Sequence, residues 1–343
     1  MQHNFILTDL MKTGGHQSLE EFINMNSFED QHFEMTGEYY TLHNYDLDRY
    51  DRKIAFIERS ILSKLHPAHN PAFREELNKR MSLLHSQGFK FIYTTPFESK
   101  ENMSQLELFP KYEESQMVWD GGVTWFWFYM FQKHNDTLFD VEHSNKTYDF
   151  LYLNKQKRHH RKMLFDRMYK KHLLDGSLFS FHQYSEDTKF FLPKKYETNY
   201  PFKGQDYEMD LRIYEDSKYS LIAETNDNND DIFMTEKIWK PIIAKHIFVV
   251  HGNYLYLQKL KELGFKTFSK YFDESYDIEI DRYKRIDKIV QLCNDLLRMN
   301  WKDLYLQTQS IRQHNFDLFF NKEQLSKRIN EKINLFLEFV DRS

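Results

Sequence analysis

The clearest pattern of apolar and polar positions lies between residues 219 and 268. Strand-like and helix-like segments alternate there: predicted strands at Tyr219–Ala223, at His246–Val250 and ending at Phe268, and predicted helices opening at Thr235 and over Leu255–Leu263. Such alternation is typical of a parallel sheet, which binds ligands at the carboxyl ends of its strands. We therefore expect residues 224–235 to form a ligand-binding loop.

Similar segments occur on both sides of this stretch. Predicted strands are Phe5–Leu7, Phe89–Tyr93, Tyr148–Leu153 and Ser177–Tyr184. Predicted helices are Ile54–Leu65, Pro71–His85 closed by Gly88, Val123–Phe131, a helix opening after residue 154 and running to Leu174, Arg285–Met299, Trp301–Gln313 and Lys322–Phe339. Residues 28–50 show no clean period, residues 100–122 read as loops and short segments, and residues 186–211 and 271–283 read as loops. The chain is therefore predicted to belong to the α/β class.

The chain is longer than one typical domain. Its 343 residues exceed the usual ~100–200 residues of a domain, and residues 134–146 are a polar stretch that suits a boundary. We predict domains at residues 1–145 and 146–300, followed by C-terminal helices over residues 301–343 that cross back to the first domain.

Composition narrows the class of protein. A net charge of -5 argues against a protein that grips duplex nucleic acid by neutralising phosphates, and a single cysteine, Cys293, excludes an internal disulfide framework. The N-terminal residues lack the pattern of a signal peptide, and the longest apolar run is about half of the ~20 residues that a membrane helix needs. We expect a cytoplasmic protein without a membrane span.

Metal sites and common nucleotide motifs are not predicted. The 16 histidines show no HExxH spacing, and the acidic residues 226–231 lack the spacing of an EF-hand. The sequence has no P-loop and no GxGxxG motif. We therefore expect neither a metal nor a resident cofactor.

The first candidate site is Thr235-Glu236-Lys237 at the start of a predicted helix. A helix N-terminus offers free N–H groups and a positive partial charge to a phosphate, and Lys237 adds a full charge. A carboxylate such as that of Glu236 accepts from ribose hydroxyls. Ordinary helix capping by Thr235 is the alternative interpretation.

The second candidate is a basic run between a predicted strand and a helix, consisting of Lys155, Lys157, Arg158, His159, His160, Arg161 and Lys162. Arg161 precedes Leu164 and Phe165 by three and four positions, so it lies over the stripe that faces the core. A guanidinium there is suited to bind a diphosphate. Lys157 is a weaker candidate, and a solvated basic face is the alternative for most of the run.

The third candidate is Glu98, which follows the predicted strand Phe89–Tyr93. A partly desolvated carboxylate can have its pKa raised and serve as a general base. Asp120, beside Trp119 and before two glycines, is a weaker candidate for the same role. An exposed loop carboxylate is the commoner outcome.

Together these segments resemble the α1,3-fucosyltransferase family. The resemblance is carried by Glu224, Phe233, Thr235, Glu236, Lys237, Val249, Val250 and Gly252, by Arg161 followed by Asp166, and by Phe97-Glu98-Ser99. The family pattern has a Glu-Asn pair at the end of this strand, and here Asn226 lies one position beyond the place expected after Glu224.

The resemblance implies a fold and an activity. The fold is GT-B, two Rossmann-like domains facing a cleft, with the acceptor on the first domain and the nucleotide sugar on the second. The activity is inverting, metal-independent transfer of a hexosyl or pentosyl group from a GDP- or UDP-linked sugar. The resemblance also implies that Glu236 binds the ribose, Lys237 and Arg161 the diphosphate, and Phe233 lies beside the base. By the same resemblance, Glu224 and Thr235 are further donor-binding residues, and Glu98 is the catalytic base.

The acceptor and the oligomeric state stay open. A glycan hydroxyl and a hydroxymethylated nucleobase in phage DNA are the two acceptors considered. A different class of function is a non-catalytic nucleic-acid-binding protein that uses the basic cluster at residues 155–162.

Overall fold

The computed structural model describes residues 4–9, 32–35, 43–58, 71–94, 116–119, 131, 146–197, 209–227, 232–321, 323, 334–335 and 337–342. The chain divides into two compact units, Met1–Phe126 with Lys322–Ser343, and Trp127–Asn321. The predicted domain bounds stay a prediction. No helix in the described ranges has the length and apolar character needed to cross a bilayer.

The first unit contains a parallel five-stranded sheet. Its strands are β1 (Asn4–Asp9), β2 (His32–Met35), β3 (Arg52–Glu58), β4 (Lys90–Thr94) and β5 (Gln116–Trp119), in the spatial order β2-β1-β3-β4-β5. A short 3-10 helix, Leu47–Arg49, precedes β3, and helix α1 (Pro71–Ser86) connects β3 to β4. The predictions of β1, α1 and β4 are confirmed. Gly88 follows α1 with φ of 83°, a conformation that favours glycine.

The helix predicted at Ile54–Leu65 is wrong where the structure describes it, because Arg52–Glu58 is strand β3. Ile54, Ala55 and Ile57 are fully buried, and β3 lies between β1 and β4 in the sheet. A strand covered on both faces is apolar at consecutive positions, so its pattern resembles that of a buried helix. The region predicted as loops and short segments likewise contains β5.

The C-terminal residues of this unit pack on its sheet. Lys90 Nζ donates to the carbonyls of Phe339 (2.9 Å) and Val340 (3.0 Å), and Arg52 pairs with Asp341 at 2.7 Å. Residues 339–341 are thus attached to β3 and β4. Most of the predicted helix Lys322–Phe339 lies outside the described residues, as does the predicted helix before Phe131.

The second unit contains a parallel four-stranded sheet in the order β7-β6-β8-β9. Its strands are β6 (Tyr148–Asn154), β7 (Leu178–Phe181), β8 (Ser217–Ala223) and β9 (Ile247–His251). Its helices are α2 (His159–Lys170), α3 (Lys194–Glu197), α4 (Leu211–Glu215), α5 (Glu236–Ile243), α6 (Tyr256–Glu262), α7 (Arg282–Leu296), α8 (Trp301–Gln307) and α9 (Gln309–Phe319). The mixed α/β class with parallel sheets is confirmed.

Helices cover both faces of this sheet. Tyr219 OH donates to the carbonyl of Leu296, so its side of β8 faces α7, against which α2 also packs. The next residue, Ser220, points to the opposite face, where α4 and α5 lie. Strands buried on two sides are mainly apolar, which explains the apolar runs Leu221–Ala223 in β8 and Ile247–Val250 in β9.

Aromatic residues dominate the core of this unit. Phe165 on α2 contacts the rings of Tyr152, Phe179, Phe181, Tyr184 and Phe190, and Trp239 on α5 contacts Phe265 and Phe319. Phe165 thereby fixes α2 against β6 and β7, and Trp239 fixes α5 against the end of α9.

Several predicted bounds in this unit change. No strand forms before Phe268, because the buried Glu274 carboxylate accepts from Phe268 N (2.7 Å) and Thr267 Oγ1 (2.6 Å) and holds the segment as a turn. The helix predicted at Trp301–Gln313 is two helices that meet at Thr308. Helix α2 ends at Lys170, and α3 lies within a predicted loop.

Candidate functional site

The topology of the second unit marks one place for a ligand. The chain leaves β6 toward β7 on one side and later returns to β8 on the other side, so the direction of winding reverses between β6 and β8. Leu151 pairs with Ser220, which brings the carboxyl ends of both strands to one level. Open parallel sheets bind ligands in the crevice at such a switch point.

Arg161 lies at this edge, in the first turn of α2. Its side chain is buried, with Nε donating to the carbonyl of Glu224 (3.1 Å) and Nη2 to Thr225 Oγ1 (3.4 Å). Burial lowers the pKa of Arg161, and the nearby Arg158 guanidinium lowers it further. Neither arginine forms an ion pair with a carboxylate of the described residues. The edge therefore carries two guanidinium groups without a directly paired carboxylate, while the nearby carboxylates of Glu224 and Glu236 offset part of the charge of Arg161.

Glu224, just past β8, has a fully buried carboxylate. It accepts from Thr235 Oγ1 (2.6 Å), Tyr256 OH (2.8 Å), Thr235 N (3.2 Å) and Thr225 N (3.3 Å). Groups of the protein thus satisfy this carboxylate, which connects the end of β8 to the start of α5. In the described structure, Glu224 positions the loop rather than facing solvent.

The segment Thr235-Glu236-Lys237 opens α5 as predicted, with Thr235 as N-cap accepting from Lys237 N at 3.3 Å. Lys237 Nζ donates to Thr235 Oγ1 (3.0 Å) and to Glu236 Oε1 (2.7 Å). Burial acts to raise the pKa of Glu236, but Lys237 and then Lys240 outweigh it, and the pKa is lowered. Glu236 is therefore an ionised hydrogen-bond acceptor beside an ammonium group.

Arg161 and Glu236 lie close enough that the carboxylate of Glu236 acts to raise the pKa of Arg161. The structure thereby brings together the N-termini of α2 and α5, two cations and one carboxylate at the switch point. Positive helix ends and cations attract a multiply charged anion.

A cavity of about 280 Å³ adjoins Glu236 and Lys237. Its walls are mainly apolar and include Leu151 and Leu153 of β6, Tyr214 of α4 and Pro241 of α5. An apolar cavity beside a few polar groups is typical of a small-molecule site.

The other predicted site residues lie at the margin of this arrangement or outside the described residues. Phe233 is half-buried and its N–H donates to Asn253 Oδ1 (3.0 Å), while Asn226 is half-buried on the loop after β8. Lys157 is exposed. Glu98 and Asp120 lie outside the described residues, so their roles stay predictions.

Sequence reasoning missed a buried polar cluster behind the Glu224 loop. His160 Nε2 donates to the Glu224 carbonyl (2.9 Å), and its Nδ1 lies 3.4 Å from Asp227 Oδ1. The ring of His251 is 5.4 Å from that of His160, and Arg285 donates to the carbonyls of Asp227 (3.2 Å) and Gly252 (2.8 Å). These residues are far apart in the chain, and only the sheet topology joins them.

Burial lowers the pKa of both histidines, that of His251 well below the ordinary value, and the Arg285 guanidinium lowers the pKa of His251 further. Both rings therefore favour the neutral form. Within the described ranges, no group of three metal-binding side chains occurs.

Comparison with known proteins adds little to this geometry. No family model and no curated protein matches the chain. A crystal structure of alpha1,3-fucosyltransferase with GDP is similar over 98% of this chain and 90% of that chain, with 10% sequence identity and a TM-score of 0.42. That likeness is too low to assign a fold family or an activity.

Proposed function

We propose that the chain is a glycosyltransferase that uses a nucleoside-diphosphate sugar. The observation that carries the proposal is the convergence of Arg161, Lys237 and the N-termini of α2 and α5 at the β6/β8 switch point. Arg158 and Arg161 repel each other there and lack a carboxylate partner among the described residues. A diphosphate would neutralise both and satisfy free N–H groups in the first turn of α2, which has no side-chain cap.

Two features favour a nucleotide over a simple phosphate. The ionised Glu236 carboxylate lies beside Lys237 and can accept from the two hydroxyls of a ribose. The adjoining apolar cavity can receive a flat base. The sequence pattern shared with α1,3-fucosyltransferases, above all Thr235-Glu236-Lys237, supports a sugar nucleotide and assigns the second unit to the donor.

The proposed reaction is a direct displacement at the anomeric carbon. An acceptor hydroxyl oxygen bonds to that carbon as the bond to the diphosphate oxygen breaks, and the hydroxyl proton passes to Glu98. The charge that develops on the departing nucleoside diphosphate is met by Arg161, Lys237 and the helix N-termini. Inversion, the role of Glu98 and independence from metal are parts of this proposal, as are GT-B architecture and a glycan or phage DNA acceptor.

A thermal-shift panel with GDP, UDP, ADP and CMP tests the proposal, because a ligand that binds only the folded state raises its melting temperature. At least one diphosphate is expected to raise it, and Arg161→Ala and Lys237→Ala are expected to abolish the shift. Lys170→Ala changes an exposed residue of α2 and serves as the matched control. A folded protein that responds to no nucleotide would contradict the proposal.

Turnover separates Glu98 from the binding residues. Glu98→Ala is expected to retain the nucleotide-induced shift and to lose sugar transfer. Retained transfer would remove Glu98 from the role of base.

The nucleic-acid alternative has weaker support in the structure. Of the basic run, Arg161 and His160 are buried and Lys162 pairs with Asp166 at 2.6 Å, which leaves Lys155, Lys157 and His159 exposed. That function predicts salt-sensitive duplex binding that Glu98→Ala does not affect.

A further inference from the structure

The side chain of Asn154 is a buried polar group without an assigned task. Asn154 is the last residue of β6 and is 4% exposed. Neither its amide nitrogen nor its amide oxygen makes a hydrogen bond of normal geometry to the described residues, although the amide lies close enough to the Tyr152 hydroxyl to act on the pKa of that group. Burial of a carboxamide without partners is costly, so such a group in a folded protein calls for a ligand or another explanation.

The neighbouring strand residues show where this side chain lies. Tyr152, two positions earlier, packs its ring on Phe165 of α2 (6.2 Å between centroids) and donates its hydroxyl hydrogen to the Arg161 carbonyl (3.3 Å). Side chains two apart on a strand share a face, so Asn154 lies on the α2 face, nearer to the start of that helix. Burial raises the pKa of Tyr152, and the Asn154 amide opposes the rise, which agrees with this placement.

The start of α2 has unused hydrogen-bonding capacity of its own. Arg158 is the N-cap residue of this 12-residue helix and provides no side-chain cap. The Nε of Arg158 is buried and lacks a hydrogen-bond partner among the described residues. An uncapped helix N-terminus and a guanidinium N–H without a partner among the described residues thus follow within five residues of Asn154, on the face of the sheet to which its side chain points.

Asn154 also borders the cavity next to Glu236 and Lys237, at the end of β6, although the cavity lies on the α5 face of the sheet and the Asn154 side chain on the α2 face. A ligand that extends from this cavity to Arg161 therefore passes the end of β6.

We propose that Asn154 is a further binding residue, whose amide N–H donates to a phosphate oxygen held at the N-terminus of α2 by Arg158 and Arg161. This inference rests on the proposed function, because it takes the anion to be the diphosphate of the sugar nucleotide. The expected ligand class is a diphosphate ester, and inorganic pyrophosphate is its simplest probe.

The experiment compares wild-type protein with Asn154→Asp and Asn154→Ala in calorimetric titrations with nucleoside diphosphates and with pyrophosphate. Loss of a hydrogen bond to a charged group is expected to weaken binding about ten- to a hundredfold in Asn154→Ala. Asn154→Asp is expected to weaken it further, because a carboxylate would repel the phosphate. Without ligand, Asn154→Asp is expected to melt no lower than wild type, since the carboxylate can pair with the two arginines.

A purely structural role for Asn154 would give the opposite result: lower melting temperatures with unchanged affinity. Binding within twofold of wild type in folded variants would overturn the inference and leave the proposed function intact. Binding of pyrophosphate but of no nucleotide, with loss in Asn154→Asp, would support the anion site and contradict the proposed function. If wild-type protein binds neither a nucleoside diphosphate nor pyrophosphate, the inference and the proposed function are both contradicted. If Asn154→Ala or Asn154→Asp does not fold, Asn154→Ser is measured in its place.

Discussion

Glu224 provides the sharpest test of how the loop after β8 is held. The sequence resemblance assigns this residue to donor binding, whereas its carboxylate is fully buried and accepts from two residues of the second unit besides its neighbour Thr225. Substitution by glutamine keeps the shape and replaces one oxygen with an NH₂ group that cannot accept.

The size of the effect follows from the contacts. Oε1 accepts from Thr235 N and Tyr256 OH, and Oε2 from Thr235 Oγ1 and Thr225 N. In either orientation of the glutamine one backbone N–H loses its acceptor, whereas the hydroxyl on the same side can turn and accept from the amide. At ~1.5–3 kcal/mol for a bond to a charged group, Glu224→Gln is expected to lower the free energy of unfolding by at least about 1.5–3 kcal/mol. That loss is a large share of the ~5–15 kcal/mol that stabilises a typical domain.

Urea unfolding monitored by tryptophan fluorescence measures this loss. Tyr256→Phe, which removes one of the four donors, is expected to cost about 1.5–3 kcal/mol and is the matched control. The reasoning is refuted if Glu224→Gln is as stable as wild type but no longer binds a nucleotide. In that case the carboxylate contacts the ligand and does not position the loop.

Three further predictions concern the residues around this loop. Burial lowers the pKa of His251, so below about pH 6.5 the imidazole is protonated in the unfolded chain but not in the folded one. The free energy of unfolding should therefore fall by up to ~1.4 kcal/mol for each pH unit below that pH. His251→Phe should reduce this slope in unfolding measured from pH 5 to 8, and His159→Ala, at an exposed position of α2, should not; equal slopes in all three proteins would contradict the assignment. Thr235→Ala removes both the N-cap of α5 and the bond to the Glu224 carboxylate and should lower stability by about 2.5–5 kcal/mol, while Thr235→Ser should retain most of it; equal losses in thermal melts would show that the hydroxyl is not responsible. Gly252→Ala places a Cβ 2.6 Å from the ring of Tyr256 and should cost about 1–3 kcal/mol, and a variant as stable as wild type would show that the ring moves without cost.

Much of the second unit is predictable from local pattern. The β8, α5 and β9 segments have distinct periods, and Thr235 and Gly264 are capping residues whose conformations the structure confirms, with φ of 96° at Gly264. Where the pattern is ambiguous, prediction fails for a physical reason. The apolar run in β3 is compatible with strand and helix alike, and only its position in the middle of a sheet decides between them.

The candidate site was accessible to sequence reasoning only in part. Arg161 and Lys237 are identifiable because each lies at a helix start, but the burial of Glu224 depends on Tyr256, 32 positions away. The unpaired amide of Asn154 has no sequence signal other than its place at the end of a strand. Contacts that depend on strand order rather than on periodicity have to be read from the structure.

Hydrogen exchange measured with and without a nucleoside diphosphate tests the central claim most directly. A ligand at the β6/β8 switch point should slow exchange of the backbone amides at residues 156–163 and 224–240, which cover the starts of α2 and α5. The amides of α7, α8 and α9 should be unaffected. A nucleotide that binds but protects neither of the two segments would contradict the site described for this protein.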